Sequence, residues 1–544
     1  MPNPNTPFHP IIYVRGYAMT ADEIDATTAD PFCGFNLGST VYRAVPDKER
    51  APRKFIFQSP VVRLASDFKY GNIYQDGYDI LDDEWETDAT GKSTGNRLAS
   101  RSIIIFRYYD QASRMLGSGK TPSIDDFARQ LGDLVLRVRD LVCRNEQNGV
   151  GQEDFRCYLV AHSMGGLICR ALLQNPQNDP RKAGRYVDKL FTYATPHNGI
   201  EVAGMNVPNW FSLNDMNNFN RERMAQYLGL TAPMSKPPDD RVDWLPEERF
   251  SPERVFCMVG TNRMDYEVAM GLSRTFSGHG SDGLVRIDNA TLRGLKSNGQ
   301  PGQPCAKAFA YRSHSGYYGI VNSEEAYQNL TRFLFGNVRV DIWLDVTDIR
   351  LPVEVQKQQD AGKQINALYQ FEILASPRGK LWYLTRRTAV EDSVACMSHA
   401  NWLAAPKENG SLYLSTVFLA NRAKVNPDRA TLAYCLTLNV RVPDYEIERK
   451  LWINEHYEGS YLFRDQILVE MVPPSTPGAK WKVSSSWQGT GLNLTTTEMN
   501  GKALQAGKIE LKIPLSSAGT TSPGIDGQLR FIVSAWNPDA VMET

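Results

Sequence analysis

The chain has no apolar run approaching the roughly 18–20 residues that a membrane-spanning helix needs, so no such span is expected. It also lacks an excess of either charge: 60 Lys and Arg against 61 Asp and Glu give a formal net charge of −1. That balance argues against nucleic acid as a partner and supplies no global attraction to an anionic surface, although a local basic patch stays open. The eight cysteines, Cys33, Cys143, Cys157, Cys169, Cys257, Cys305, Cys396 and Cys435, form no C-x-x-C pair. Several sit in apolar runs, where a thiol behaves as a small hydrophobe, and the expectation is mostly free thiols made in a reducing compartment. The start, Met1 to Pro7, lacks the basic residues and apolar core of a secretory signal. The expected location is therefore the cytoplasm, or the exterior reached without a cleaved signal. Metal-ligand spacing, a Gly-rich phosphate loop and a basic-aromatic stripe are all missing, so no metal and no other cofactor is expected.

What is present is ordinary globular composition, 42% hydrophobic and 22% charged over 544 residues, enough for two to four domains of roughly 100–200 residues each. Two halves differ in pattern. Up to about Gly336, short apolar runs alternate with helix-like runs, which implies a parallel α/β sheet. Ile11–Val14, Ser102–Tyr108, Phe155–Val160, Lys189–Ala194, Val255–Val259 and Ala308–Arg312 read as strands. Ile124–Arg144 carries Phe127, Leu131, Leu134, Val138 and Leu141 at helical spacing, with Asp125 and Asp126 suited to the positive end of a helix. Ser323 opens a last helix. Two long insertions interrupt the alternation, about residues 17–100 and 197–252. The second contains Trp210, Phe211 and Met216 and is a candidate lid over a substrate. After Gly336 the period becomes two: Val338, Val340, Ile342, Leu344 and Val346 alternate with polar residues, and similar runs follow to Ala535. Residues 337–544 are thus expected to form an antiparallel β-sandwich.

The chemistry-bearing stretch is Ala161-His162-Ser163-Met164-Gly165-Gly166, between the run Cys157–Val160 and the helix-like Leu167–Leu173. A serine on a tight strand-to-helix turn flanked by small residues is how a weak hydroxyl nucleophile is held out at a sheet edge. Such a site needs a base, an acid and an oxyanion hole. Of seven histidines, His314 follows a strand and precedes the last helix, where a base belongs in the order serine, acid, histidine. Asp282, in Gly280–Val285, is the favoured acid, with Asp265 and Asp288 as rivals in the same inter-strand segment. The oxyanion donors are expected to be the backbone N–H groups of Met164 and Tyr17. His162, next to the serine, is expected to point away from the catalytic face, and His197 to shape a loop wall.

These strings resemble the lipase and esterase branch of the α/β-hydrolase superfamily over residues 1–336, about three fifths of the chain. His9–Tyr17 is similar to the opening strand and oxyanion turn of lipases, Ala194–Gly199 to the Thr-Pro-His turn of bacterial lipases and related phospholipases, and Ser281–Val285 to the segment bearing their acid. The resemblance implies an α/β-hydrolase fold with a mostly parallel sheet and long insertions, and Ser163, Asp282 and His314 as the triad. Three features depart from the pattern: Ala161 replaces a glycine, Arg15 stands where many lipases carry histidine, and the 17–100 insertion is long.

The expected activity is carboxylic ester hydrolysis on an acyl lipid, of lipase or phospholipase A type, through an acyl-enzyme. The apolar insertion motivates the lipid, because acyl chains need an apolar groove. The β-sandwich is expected to contact substrate or a membrane peripherally. Competing readings are acyl transfer or amide hydrolysis on the same triad, a phospholipase effector exported without a signal, and a binding protein on a hydrolase scaffold.

Overall fold

The computed structural model describes residues 7–16, 39–43, 53–57, 60–74, 90, 95–106, 108, 123–202, 205–206, 216–231, 237–263, 280–315, 319–404, 410–424, 426, 428–429, 431–447, 455–472, 482–490, 502–503, 508–515 and 522–537. Two compact units emerge, one built mainly from Met1–Lys307 and Arg312–Leu330, the other from Ala308–Tyr311 and Thr331–Pro538.

The first unit is organised by a seven-stranded sheet. In chain order its elements are β1 (Ile11–Val14), α1 (Pro60–Phe68), β2 (Asn72–Tyr74), β3 (Ser102–Phe106), α2 (Ile124–Cys143), β4 (Cys157–His162), α3 (Met164–Gln174), β5 (Val187–Tyr193), β6 (Val255–Gly260), β7 (Ala306–Ala310) and α4 (Glu324–Phe335), the end of β7 and the last turn of α4 from Thr331 grouping with the second unit. The strands lie in the order β7-β6-β5-β4-β1-β3-β2. Each pairing from β6 to β2 is parallel. Such strands are covered on both faces, which is why IIYV, SIIIF and CYLVAH are near-continuous apolar runs, buried at every position. Each Ile or Val so buried contributes about 1.5–3 kcal/mol of transfer free energy. Helix α2 opens with a reciprocal cap: the Asp126 N–H donates to Ser123 Oγ at 3.2 Å, and the Ser123 N–H donates to Asp126 Oδ2 at 3.1 Å. Residues 17–100 are not only insertion, because α1 and the edge strand β2 fall within them.

The strand order creates the site. From β1 the chain first fills one side, with β2 at the edge and then β3 beside β1, and then builds outward on the other, with β4, β5 and β6. Ligands in open α/β sheets bind at the carboxyl ends of the strands where this direction reverses. Here that point lies between β1 and β4, paired so that Val14 faces Ala161.

The second unit is an antiparallel β-sandwich. One sheet has five strands and includes Val338–Arg350, Ser411–Leu419 and Gly524–Ala535; the other has eight and includes Ile365–Pro377, Leu432–Arg441 and Tyr461–Val472. Strict alternation of buried and half-buried residues along Leu432–Arg441 is the period-two signature of a strand with one covered face. The inner faces share one apolar core, in which the rings of Tyr434 and Phe531 meet edge-on at 6.5 Å. Strand Ile365–Pro377, which the sequence reading passed over, contributes Ile365, Tyr369, Phe371 and Ile373 to it.

Among the described residues no helix is long and apolar enough to cross a membrane.

Candidate active site

Strand β4 ends at His162, and α3 begins at Met164, so the reversal of direction falls on Ser163 alone. The serine takes φ 52° and ψ −127°, a conformation that a side-chain-bearing residue holds only when its surroundings enforce it. They do so by close approach. A Cβ on Gly165 would lie 2.3 Å from the Val14 carbonyl oxygen, so only glycine lets α3 sit this close to β1. A Cβ on Gly16 would lie 2.5 Å from Ser163 Cβ, which shows how closely the turn after β1 passes the serine. The register of β1 on β4 makes this inevitable: two residues beyond the Val14–Ala161 pair, Gly16 faces Ser163.

Three of the residues singled out from the sequence meet here. Ser163 Oγ lies 2.9 Å from His314 Nε2, and His314 Nδ1 lies 2.9 Å from Asp282 Oδ2. A carboxylate only accepts, so the proton shared with Asp282 sits on Nδ1, and in the neutral ring Nε2 is free to accept from the serine hydroxyl. Asp282 is fixed on its other oxygen, where Oδ1 accepts from the N–H groups of Leu284 at 3.0 Å and Val285 at 2.8 Å. The His314 N–H donates to the Asp282 carbonyl at 3.0 Å, so acid and base are joined through main chain as well as side chain. All three side chains are enclosed, with relative exposures of 6% for Ser163, 1% for Asp282 and 3% for His314, which strengthens their mutual electrostatics. Of the rival acids, Asp288 is exposed in a short turn and Asp265 lies outside the described residues.

Met164 is the first residue of α3, so its N–H has no acceptor within the helix and lies at the positive end of the helix dipole. Tyr17, the other expected oxyanion donor, lies outside the described residues, as do Trp210 and Phe211; Met216 opens a single 3-10 turn, Met216–Phe219.

Two further buried groups, His162 and Arg170, bear on the site. His162 does not face away from the site. Its Nε2 lies 2.9 Å from the His314 carbonyl oxygen, and the two rings are 5.0 Å apart. Because a carbonyl only accepts, Nε2 carries the hydrogen, and burial holds this imidazole well below its usual range, which keeps it neutral. Arg170, on α3, is completely buried. Its guanidinium donates to the carbonyls of His197 at 2.9 Å, Val242 at 2.8 Å and Trp244 at 3.0 Å, so both ends of the 197–252 insertion are tied to the helix that follows Ser163. Burial pulls its pKa down to about 10, which leaves it cationic at neutral pH. An arginine inside the run Leu167–Leu173 was the available signal. His197 is buried in the loop wall, as expected, with Nε2 3.2 Å from Thr192 Oγ1.

No family model matches the chain, and no curated protein matches it. Among solved structures it is similar to the mature lipase BlEst2 of Bacillus licheniformis, at 15% identity over 54% of this chain and 82% of that one, with a TM-score of 0.25. It is also similar to the phospholipase PlaB of Legionella pneumophila, at 13% identity over 83% of this chain and 92% of that one, with a TM-score of 0.30. A third similar structure is the lin2722 product of Listeria innocua, at 12% identity over 60% of this chain and 93% of that one, with a TM-score of 0.25. The strand order, the turn at Ser163 and the position of His314 after β7 give the first unit the α/β-hydrolase fold, like that of lipases and esterases.

Proposed function

We propose that the protein is a serine hydrolase that cleaves carboxylic esters of acyl lipids, with Ser163 as nucleophile, His314 as general base and acid, and Asp282 as the group that orients and stabilises the imidazole. The observation that carries this is the unbroken row from Ser163 Oγ to His314 to Asp282, at 2.9 Å for each link. Ser163 Oγ attacks the ester carbonyl as its proton passes to Nε2. The tetrahedral oxyanion is held by the Met164 N–H at the start of α3, together with the Tyr17 N–H. Collapse expels the alcohol, which takes the proton from Nε2 and leaves an acyl-serine. Water, deprotonated by the same nitrogen, then releases the acid. Removing one oxyanion donor in such sites costs about 3–4 kcal/mol of transition-state stabilisation, so an N–H aimed at that position is a substantial part of the chemistry.

The acyl-lipid part rests on the 197–252 insertion, whose sequence offers Met205, Val207, Trp210, Phe211 and Leu213 amid polar residues. A long acyl chain needs such apolar surface. The test is hydrolysis of p-nitrophenyl esters of increasing chain length and of diacyl phospholipids by the parent protein and by Ser163→Ala, with fluorophosphonate labelling alongside. The expected results are labelling of Ser163, rates that rise with acyl length, and loss of turnover in the variant. Hydrolysis by Ser163→Ala at the parent rate, or absence of label on folded parent protein, overturns the reading. Added alcohol acceptors in the same assay distinguish hydrolysis from acyl transfer by product.

A further inference from the structure

The β-sandwich unit holds a cavity of about 260 Å³ that plays no part in the chemistry above. Its inner wall is apolar, with Leu419, Ala420 and Leu432 all buried. Around it stand four cationic side chains, Arg332, Arg378, Lys424 and Arg429, against one carboxylate, Glu470. Arg378 is paired with that carboxylate, Nη1 to Oε1 at 2.5 Å. Arg332 is buried and lies 5.1 Å from the centre of the Trp382 ring. Lys424 and Arg429 have no ion-pair partner among the described residues.

The cations do not come from one solvated face. Arg332 is in the last turn of α4, Arg378 is in the turn after Ile365–Pro377, and Lys424 and Arg429 lie in the link between Ser411–Leu419 and Leu432–Arg441. Separate elements thus converge positive charge on one concave site, which focuses field and favours an anion. The volume falls below the roughly 300–1,000 Å³ of sites for drug-sized ligands, so it suits a small charged group.

The turn that supplies Arg378 and Gly379 continues directly to Leu381, which is 99% exposed. Only Lys380 lies between Gly379 and Leu381, so their Cα atoms are at most about 7–8 Å apart. An exposed leucine alone is unremarkable in a folded protein. Placed at a turn tip beside a cationic cavity, it matches the pairing of an apolar anchor with basic residues by which proteins lie on anionic bilayers.

We propose that this cavity binds the phosphate-bearing headgroup of an anionic phospholipid, with Leu381 entering the bilayer surface beside it. The proposal goes beyond the reading of Ser163 and does not depend on it, since binding and hydrolysis are measured separately.

The test is co-sedimentation of the full chain carrying Ser163→Ala, which keeps the lipid intact, with vesicles of phosphatidylcholine alone or mixed with phosphatidylglycerol. The expected result is partition onto the mixed vesicles but not the neutral ones, reduced by added salt. Combining Lys424→Ala with Arg429→Ala is expected to weaken it by about tenfold or more. Leu381→Asp, at a site with no packing to lose, is a second variant expected to weaken it, and soluble glycerol phosphate is expected to compete. Equal partition onto neutral and anionic vesicles overturns the proposal. So does unchanged partition when the cations or Leu381 are replaced, or binding of soluble phosphate without binding of vesicles. Ester hydrolysis by the chain with Ser163 intact, assayed on soluble substrates, reports on the Ser163 reading alone.

Discussion

His162 and His314 are joined through a side chain and a main chain: the Nε2–H of His162 donates to the carbonyl oxygen of His314 at 2.9 Å. The residue that precedes the candidate nucleophile therefore fixes the loop that carries the candidate base, although the two lie 152 positions apart. Replacing His162 by alanine removes this donor from a buried carbonyl, a loss of about 1–3 kcal/mol in a rigid site. The expected outcome is a fall in kcat of about tenfold to a hundredfold with KM little changed, since the loop moves and the substrate contacts do not. His162→Asn, which retains an N–H donor, should recover part of the rate. Steady-state kinetics on a soluble ester checks this, and parent-like kcat in the alanine variant would contradict it.

Asp282→Asn tests the acid. The amide has an N–H where the imidazole needs an acceptor, so the ring is driven to the wrong tautomer. The expected loss in kcat is about 10⁴-fold, with labelling of Ser163 by a fluorophosphonate slowed in parallel. Thermal melting should shift only modestly, which separates the chemical effect from unfolding.

Gly16→Ala places a methyl carbon 2.5 Å from Ser163 Cβ. Neither atom can swing aside, because both are Cβ atoms fixed to the backbone and Ser163 sits on a strained turn. A shift of about 1 Å at the reacting hydroxyl is expected, with a loss of about 10²-fold in kcat/KM. Retention of full activity would show that the turn after β1 has slack that the contact distances deny.

Arg170→Leu removes the three hydrogen bonds from the guanidinium to His197, Val242 and Trp244 and leaves their carbonyls without this donor. At about 1–3 kcal/mol for each buried unpaired group, the expected destabilisation is about 3 kcal/mol or more. Arg170→Lys keeps a charge but cannot span three acceptors, and should fall between the two. Urea unfolding followed by tryptophan fluorescence reads this, as Trp244 is one of the anchored residues.

Acid stability gives a test of burial. His9 is buried against Tyr158, with ring centres 5.3 Å apart, and burial pulls its pKa down to about 4. An unfolded chain protonates this residue near pH 6.5, while the native state does not until about pH 4. The unfolded state therefore holds more protons in that window, and stability falls as pH drops from 6.5 towards 4. Between pH 7 and pH 5 the expected contribution is about 2 kcal/mol, and His9→Phe, which keeps a ring, should remove that part of the loss. An identical acid limb in parent and variant would count against it. The buried imidazoles of His162 and His197, also held well below their usual range, act in the same direction.

Much of this architecture is legible in the sequence because its signals are local. Parallel strands covered on both faces must be apolar at every position, and runs such as CYLVAH have few other readings. The order of Ser163, Asp282 and His314 follows from where each falls relative to those strands. What separates Asp282 from Asp288 is not local: it is the approach of the turn to Gly260 and the two N–H donors at Leu284 and Val285. The same is true of His162, whose role depends on a carbonyl on a distant loop. Strand Ile365–Pro377 did carry a local signal, with Ile365, Ala367, Tyr369, Phe371, Ile373 and Ala375 on one face. Small Ala residues at alternate positions weaken that pattern against the Val- and Leu-rich strands around it.

The separation between serine and base also has a consequence in time. Ser163 and His314 are 151 residues apart in the chain. At about 5–20 residues per second, a ribosome that has delivered the serine needs roughly 8–30 s to deliver the histidine. Throughout that interval the nascent chain carries an inert hydroxyl, and the reactive row of side chains closes only after β7 has been made. On the proposed function, the pairing of nucleophile and base thus exists only once synthesis has passed the whole candidate site.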